Sequence, residues 1–208
     1  MPKVLLINGS PKPRGCTYTA LSEMICVFNE EKIETELAHV GGKIIRGCAA
    51  CNSCRQTGKC VFDDEVNAIA EKFEDADGLV VGSPVFYASP NGALISLLDR
   101  LFYSTHFSKQ MKVGAAVVNA RRGGNSAAFD VLNKYFSISG MPIATSTYWN
   151  MTHGFTPDDV KKDAEGLQTM RNLARNMAFM IKAIKDAGKK YGLPKQEREA
   201  FTSFPDGK

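Results

Sequence analysis

Four of the chain's six cysteines fall inside the stretch GCAACNSCRQTGKCVFDD, at Cys48, Cys51, Cys54 and Cys60. Two residues separate each of the first three, a spacing that lets consecutive loop residues wrap one cubane cluster, with Cys60 as a fourth thiolate. Other chemistries use the same donors. Four thiolates also hold structural zinc, for which two C-x2-C knuckles separated by a longer loop are the more usual arrangement. The thiols could instead form a redox-labile pair, or carry no metal at all. Cys26, in the first predicted helix, is expected to be an inert buried thiol.

A second group of residues suits an anion. NGSPKPRGCTYTAL puts the hydroxyls of Ser10, Thr17 and Thr19, the Arg14 guanidinium and the amides around Gly15 in one loop that feeds a helix amino terminus. Unpaired amides and the positive end of the helix dipole favour a phosphate there, and hydroxyls complete the cage. The loop matches neither G-x-G-x-x-G nor G-x-x-x-x-G-K-[ST], so the dinucleotide and P-loop fingerprints are both missing. The plainer alternative is an ordinary capped loop. In GSPVFYASPNG, Phe86 and Tyr87 leave a buried strand beside Gly82, Pro84 and Pro90. They are flat rings on a stiff loop, suited to a flat ligand or to closing the core.

These groups need elements to position them. Apolar runs alternate with segments of helical period, the pattern of an α/β domain with a parallel sheet. Strands are predicted at Val4–Ile7, 32–40, 77–83, 112–120 and 142–150. Helices are predicted from near Thr17, from Asp63 or Asp64 to about Asp75, through Leu94, Leu97, Leu98, Leu101 and Phe102, over 125–138, and from about Asp158 to Ala187. Five strands and five helices fit a flavodoxin-like, doubly wound three-layer sandwich with a five-stranded parallel sheet of order 2-1-3-4-5. Ligands bind such folds at the carboxyl ends of the strands, between strands 1 and 3, so Ser10–Thr19, Pro84–Gly92 and Asn119–Asn125 should meet there.

The Gly9-Ser10-Pro11 loop with its downstream threonine, together with GSPVFYASPNGALISLLDRL, resembles the NADPH-dependent FMN reductase branch of the flavodoxin-like superfamily, iron-sulfur flavoproteins included. The similarity covers most of residues 3 to 185. It implies that Ser10, Arg14, Cys16, Thr17 and Tyr18 surround the phosphate of FMN. Pro84, Val85, Phe86 and Tyr87 would lie along the isoalloxazine, and Asn119, Arg122 and Gly123 would border its other side. Cys16 departs from the asparagine frequent in relatives, and its side chain is a poor phosphate donor. The resemblance also implies a [4Fe-4S] cluster on Cys48, Cys51, Cys54 and Cys60, NAD(P)H as co-substrate, and a homodimer or homotetramer.

No Ser-His-Asp order, HExxH or paired carboxylates stand out, so the chemistry is left to a cofactor and no side chain is read as its catalyst. TYWNMTHGF gathers Tyr148, Trp149, Met151, His153 and Phe155 after the fifth strand, as a wall over the flavin or a subunit contact. His153 could protonate a reduced quinone, although a lone histidine in an aromatic loop is more often a packing residue. Arg100 and His106 are expected to face solvent or an interface. Three functions remain in view. The first is an FMN-dependent reductase that passes electrons to a quinone, a nitro or azo compound, a flavin or an on-board cluster. The second is a non-enzymatic electron carrier between protein partners. The third is a metal-binding or thiol redox-sensing interaction protein.

Bulk properties agree. With 208 residues and 44% hydrophobic content the chain suits one domain, expected as a flavodoxin-like FMN-binding unit over 1–187, with a cysteine-rich loop at 47–62 and a tail at 188–208. A formal charge of +4 spread along the chain gives no footprint for nucleic acid or an anionic membrane. No signal peptide precedes KVLLINGS and no apolar run nears the roughly 20 residues that span a bilayer, so a cytoplasmic protein with reduced thiols is expected.

Overall fold

The computed structural model describes residues 1–200 and Thr202. Its first half comprises β1 (Lys3–Asn8), α1 (Cys16–Glu30), β2 (Glu34–His39), α2 (Cys54–Thr57), α3 (Glu65–Asp75), β3 (Gly78–Phe86), β4 (Ser89–Pro90) and α4 (Gly92–Ser104). The second half adds β5 (Val113–Ala120), α5 (Asn125–Ile138), β6 (Met151–His153), α6 (Pro157–Lys162) and α7 (Ala164–Tyr191). The parallel strands run in the order β2-β1-β3-β5-β6, and the short β4 folds back antiparallel on β3. Setting β4 aside, this is the expected 2-1-3-4-5 order.

Alternate residues of each central strand feed two cores, because successive strand side chains point to opposite faces. Leu5, Ile7, Leu79, Val81, Ala116 and Val118 pack with α3, α4 and α5. Val4, Leu6, Val80, Ala115 and Val117 pack with α1 and α7. Helix α4 shows why the sequence forms these layers: Leu94, Leu97, Leu98 and Leu101 recur at helical spacing and all are fully buried. Each such leucine contributes about 1.5–3 kcal/mol of burial.

Four expectations need correction. The fifth strand is not continuous over 142–150: Ile143 bridges to Gly114, and regular pairing resumes only where Met151 meets Val118. Eight residue steps (151 − 143) span what β5 covers in four (118 − 114), so the chain between them loops out of the sheet. That loop is tied to α7 instead, through Ser146 Oγ to Thr169 O at 2.7 Å and Asn176 Nδ2 to Thr145 O at 2.8 Å. The long final helix is interrupted at Asp163, which caps α7 by accepting from Gly166 N, and α7 then runs to Tyr191. Cys26 is exposed, because it lies off the phase of Ala20, Met24 and Val27 on α1. Arg100 is buried, 1% exposed, for reasons that belong to the cysteine loop.

No helix among the described residues is long and apolar enough to cross a membrane. Residue 201 and residues 203–208, the end of the expected tail, lie outside the described residues.

Candidate functional site

A cleft of 310 Å³ opens at the carboxyl ends of β1, β3 and β5. The phosphate loop forms one wall. At the end of β1, Asn8 shapes it from within: its Oδ1 accepts from Ser10 N at 3.0 Å and its Nδ2 donates to Pro13 O at 3.1 Å. Ser10 Oγ accepts from Lys12 N. Helix α1 then follows the N-cap residue Gly15, with no side-chain cap and no acidic residue in its first turn. The amides of Cys16, Thr17 and Tyr18 have no hydrogen-bond partner among the described residues. The Thr17 hydroxyl is buried beside them, also without a partner. A buried hydroxyl and three helix-end amides left unpaired are the donor set a phosphate group would satisfy. Burial pushes the Cys16 thiol up, so it stays a neutral thiol in this loop.

The loop is braced from behind. His39 Nε2 lies 2.7 Å from Ser10 O, and Asn91 Nδ2 donates to Gly9 O at 2.7 Å and to Gly41 O at 3.4 Å. Gly41 must be glycine: a Cβ there would stand 2.2 Å from Gly9 O, closer than any van der Waals contact permits. Asn91 also caps α4, its Oδ1 accepting from Ala93 N, and its own backbone amide donates to Ser83 Oγ. One buried asparagine thus ties the loops after β1 and β2 to the start of α4.

The second wall is the β3–β4 hairpin, which contributes Pro84, Val85 and Phe86. Tyr87, at the turn with φ of 55°, is fully exposed and is not part of the lining. The third wall comes from Asn119, Ala120 and Arg121. Asn119 Nδ2 is engaged with Thr152 O and Oγ1, both at 3.1 Å, which ties β5 to β6. Gly154 and Phe155 complete the rim. The cleft therefore joins Ser10, Cys16, Thr17, Pro84, Val85, Phe86 and Asn119 from the residues expected there, and adds Lys12 and Arg121 as cations. Arg14, Tyr18, Tyr87, Arg122 and Gly123 do not line it. His153 stands apart, its amide held by Asp163 Oδ2 at 2.7 Å and its ring half exposed.

The four clustered cysteines line one hollow, together with Phe62, Arg100, Tyr103 and Ser104. All four are free thiols. The loop reaches this shape through left-handed backbone at Ala50 and Asn52, with φ of 52° and 59°. Such non-glycine conformations cost about 1–3 kcal/mol each and gather at functional sites. Hydrogen bonds with Ser53, from its backbone first and then its side chain, pull the Cys51 thiol below its ordinary value. The Ser104 hydroxyl faces this region buried and unpartnered. Among the described residues no three His, Cys, Asp or Glu side chains converge closely enough to hold one metal ion. The thiols surround a space instead of meeting at a point.

Sequence patterns missed the partner of this loop. Arg100 Nε and Nη2 donate to Cys60 Sγ at 3.2 and 3.1 Å, and the same guanidinium pairs in bidentate fashion with Asp64. Burial works against its charge, but the bonds with Asp64 and Cys60 outweigh that and hold it above its ordinary value. The available signal was a charged residue three positions from Leu97, on the flank of a buried leucine stripe.

Comparison with known proteins decides the family. The family described as NADPH-dependent FMN reductase matches residues 2–156. The chain belongs to that family. An iron-sulfur flavoprotein of Methanocaldococcus jannaschii is 36% identical over 191 residues, covering 88% of this chain and 99% of that protein. Among solved structures, RosB with a bound riboflavin-phosphate intermediate aligns with a TM-score of 0.72 at 16% identity, covering 99% of this chain and 93% of that one. An NAD(P)H:quinone oxidoreductase from Methanothermobacter marburgensis aligns with a TM-score of 0.65 at 15% identity, covering 85% and 96%. Likeness at these identities shows the fold, and the flavodoxin-like sheet agrees with it. The family is an FMN-binding oxidoreductase family, and the cleft opens at the β1–β3 switch point, the edge at which open α/β sheets take ligands.

Proposed function

We propose that the chain is an NAD(P)H-dependent oxidoreductase that holds FMN in the β1–β3 cleft and passes electrons to a quinone, nitro or azo compound, a flavin, or an iron-sulfur cluster on its own cysteine loop. The observation that carries this reading is the unpaired donor set at the start of α1, above all the buried Thr17 hydroxyl. Bound FMN would supply hydride acceptance from the nicotinamide and electron delivery onward. The chain's residues bind and orient. Ser10, Thr17 and the first-turn amides would hold the phosphate, with Lys12 adding charge. Val85 and Phe86 would support the ring system, and the stiff Pro84 and Pro90 framing of that hairpin limits its movement. Arg121 offers a cation at the rim for a second phosphate-bearing substrate.

The cysteine hollow suits an iron-sulfur cluster. Four soft sulfur donors surround a space, and Arg100 and Ser104 offer donors toward sulfur. Such a cluster would supply one-electron storage beside the two-electron flavin. The exposed rings of Phe86, Tyr87, Tyr148, Trp149 and Phe155 support a homodimer or homotetramer that covers them. A second reading, an electron carrier between protein partners, draws support from the exposure of Cys48 and Cys51.

Steady-state oxidation of NADPH with menadione by FMN-loaded protein separates the two readings. Many turnovers per flavin are expected from the reductase; a single flavin equivalent of oxidation would favour the carrier. Protein that takes up no FMN would remove both.

A further inference from the structure

We propose that Arg100 sets the reduction potential of the cluster on the four cysteines, by aiming two N–H···S hydrogen bonds at the sulfur of Cys60. The inference rests on the reading that an iron-sulfur cluster is held in that hollow. Its geometric basis is a full account of one guanidinium. Nε and Nη2 donate to Cys60 Sγ, Nη2 and Nη1 to the two oxygens of Asp64, and Nη1 also to Arg46 O at 3.1 Å. All five donors of a guanidinium are used, two of them on one sulfur.

The ion pair with Asp64 offsets part of the burial of a positive charge that is 1% exposed, and the remaining N–H groups need acceptors of their own. Any acceptor would serve that need, yet the one supplied is a sulfur, Cys60 Sγ. A neutral thiol is a weak acceptor, whereas a thiolate accepts charge-assisted bonds, so the arrangement is matched to an anionic Cys60. Both ends are fixed. Arg100 rises from α4 between the fully buried Leu97, Leu98 and Leu101. Cys60 is clamped by reciprocal bonds with Asn67, each 2.9 Å. Asp64 is held in turn by capping α3 at Val66 N, and the Phe62 ring lies against both Arg46 and Arg100.

Reduction of a cluster adds one electron, with no bond formed or broken, and places extra negative charge on its sulfurs. Hydrogen bonds to those sulfurs and a buried cation nearby favour the reduced form over the oxidised one, which raises the potential. A purely structural arginine would alter stability or iron content and leave the potential where it was.

The test is a redox titration with dithionite and mediators, followed by EPR of the reduced cluster, on anaerobically purified full-length protein with iron measured in each sample. Arg100→Lys keeps a cation for Asp64 but cannot present two donors to one sulfur. It is expected to lower the reduction equilibrium constant about tenfold, a shift of about 59 mV for one electron. Arg100→Met combined with Asp64→Asn removes the pair without stranding a buried charge and keeps a residue able to cap α3, and its potential should fall further. Potentials equal to wild type at full iron content would overturn the proposal alone. Wild-type protein that binds no iron would overturn the cluster reading and this proposal with it. If the variants lose their iron, protein with Arg46→Lys and Arg55→Lys that carries arginine labelled with heavy nitrogen in the guanidinium decides: nitrogen coupling to the reduced cluster in pulsed EPR supports the role, and its absence overturns it.

Discussion

Thr17 carries a buried hydroxyl with no partner, a state that costs the folded chain about 1–3 kcal/mol. Replacing it with valine removes that hydroxyl while keeping nearly the same shape. Thr17→Val is therefore expected to leave the FMN-free protein as stable as wild type or slightly more so. Its FMN affinity should fall by about tenfold to a hundredfold, the worth of one hydrogen bond to a charged group. Urea denaturation of the FMN-free protein and a fluorescence titration with FMN check the two halves. Unchanged affinity would mean the hydroxyl does not face the phosphate. The place of Thr17 and Ser10 in the cleft was legible in the sequence because a loop rich in hydroxyls ahead of a helix has a local signature. Arg100 was not: its partners lie 36 and 40 residues away, and no local pattern encodes that meeting. Cys26 was misread although its phase against Met24 and Val27 already turned it outward.

At the scale of elements, the segment between α4 and β5 contains a testable titration. Burial, with the like charge of Lys112 as a smaller cause, lowers Lys109 from 10.5 to about 8. Its ammonium donates to the carbonyls of Thr105 and Phe107 and lies over the Phe107 ring. The folded value is below the unfolded one. Between about pH 8 and 10.5 the unfolded chain therefore holds a proton that the folded chain has released, and this group's contribution to stability rises with pH. Tyr135, raised by burial and then by its bond to Asp99, opposes this only above its ordinary value of 10. Denaturation midpoints from pH 8 to 10 should thus rise more in wild type than in Lys109→Met; parallel profiles would contradict the assignment. Among the elements themselves, β1, β3 and β5 were readable as apolar runs, and α3 and α4 as periodic stripes. The fifth strand was not, since Ser146 and Thr145 satisfy their polar groups on α7 and leave the sheet.

For the whole molecule, strand order followed from the alternation of elements, and the ligand edge followed from the strand order. What remained hidden was the long-range bracing that shapes the edge, such as Asn91 reaching Gly9 across 82 positions. The membership of Arg121 and Phe155 in the cleft likewise depends on how three loops fold over one another. That assembled edge carries the central claim, a flavin site served by a nicotinamide donor. The most direct measurement is a single-turnover, oxygen-free mixing of NADPH with FMN-loaded protein, observed at the flavin absorbance band. Bleaching of one flavin per site with matching loss of NADPH is the predicted result; bound flavin that neither NADPH nor NADH reduces would contradict the account.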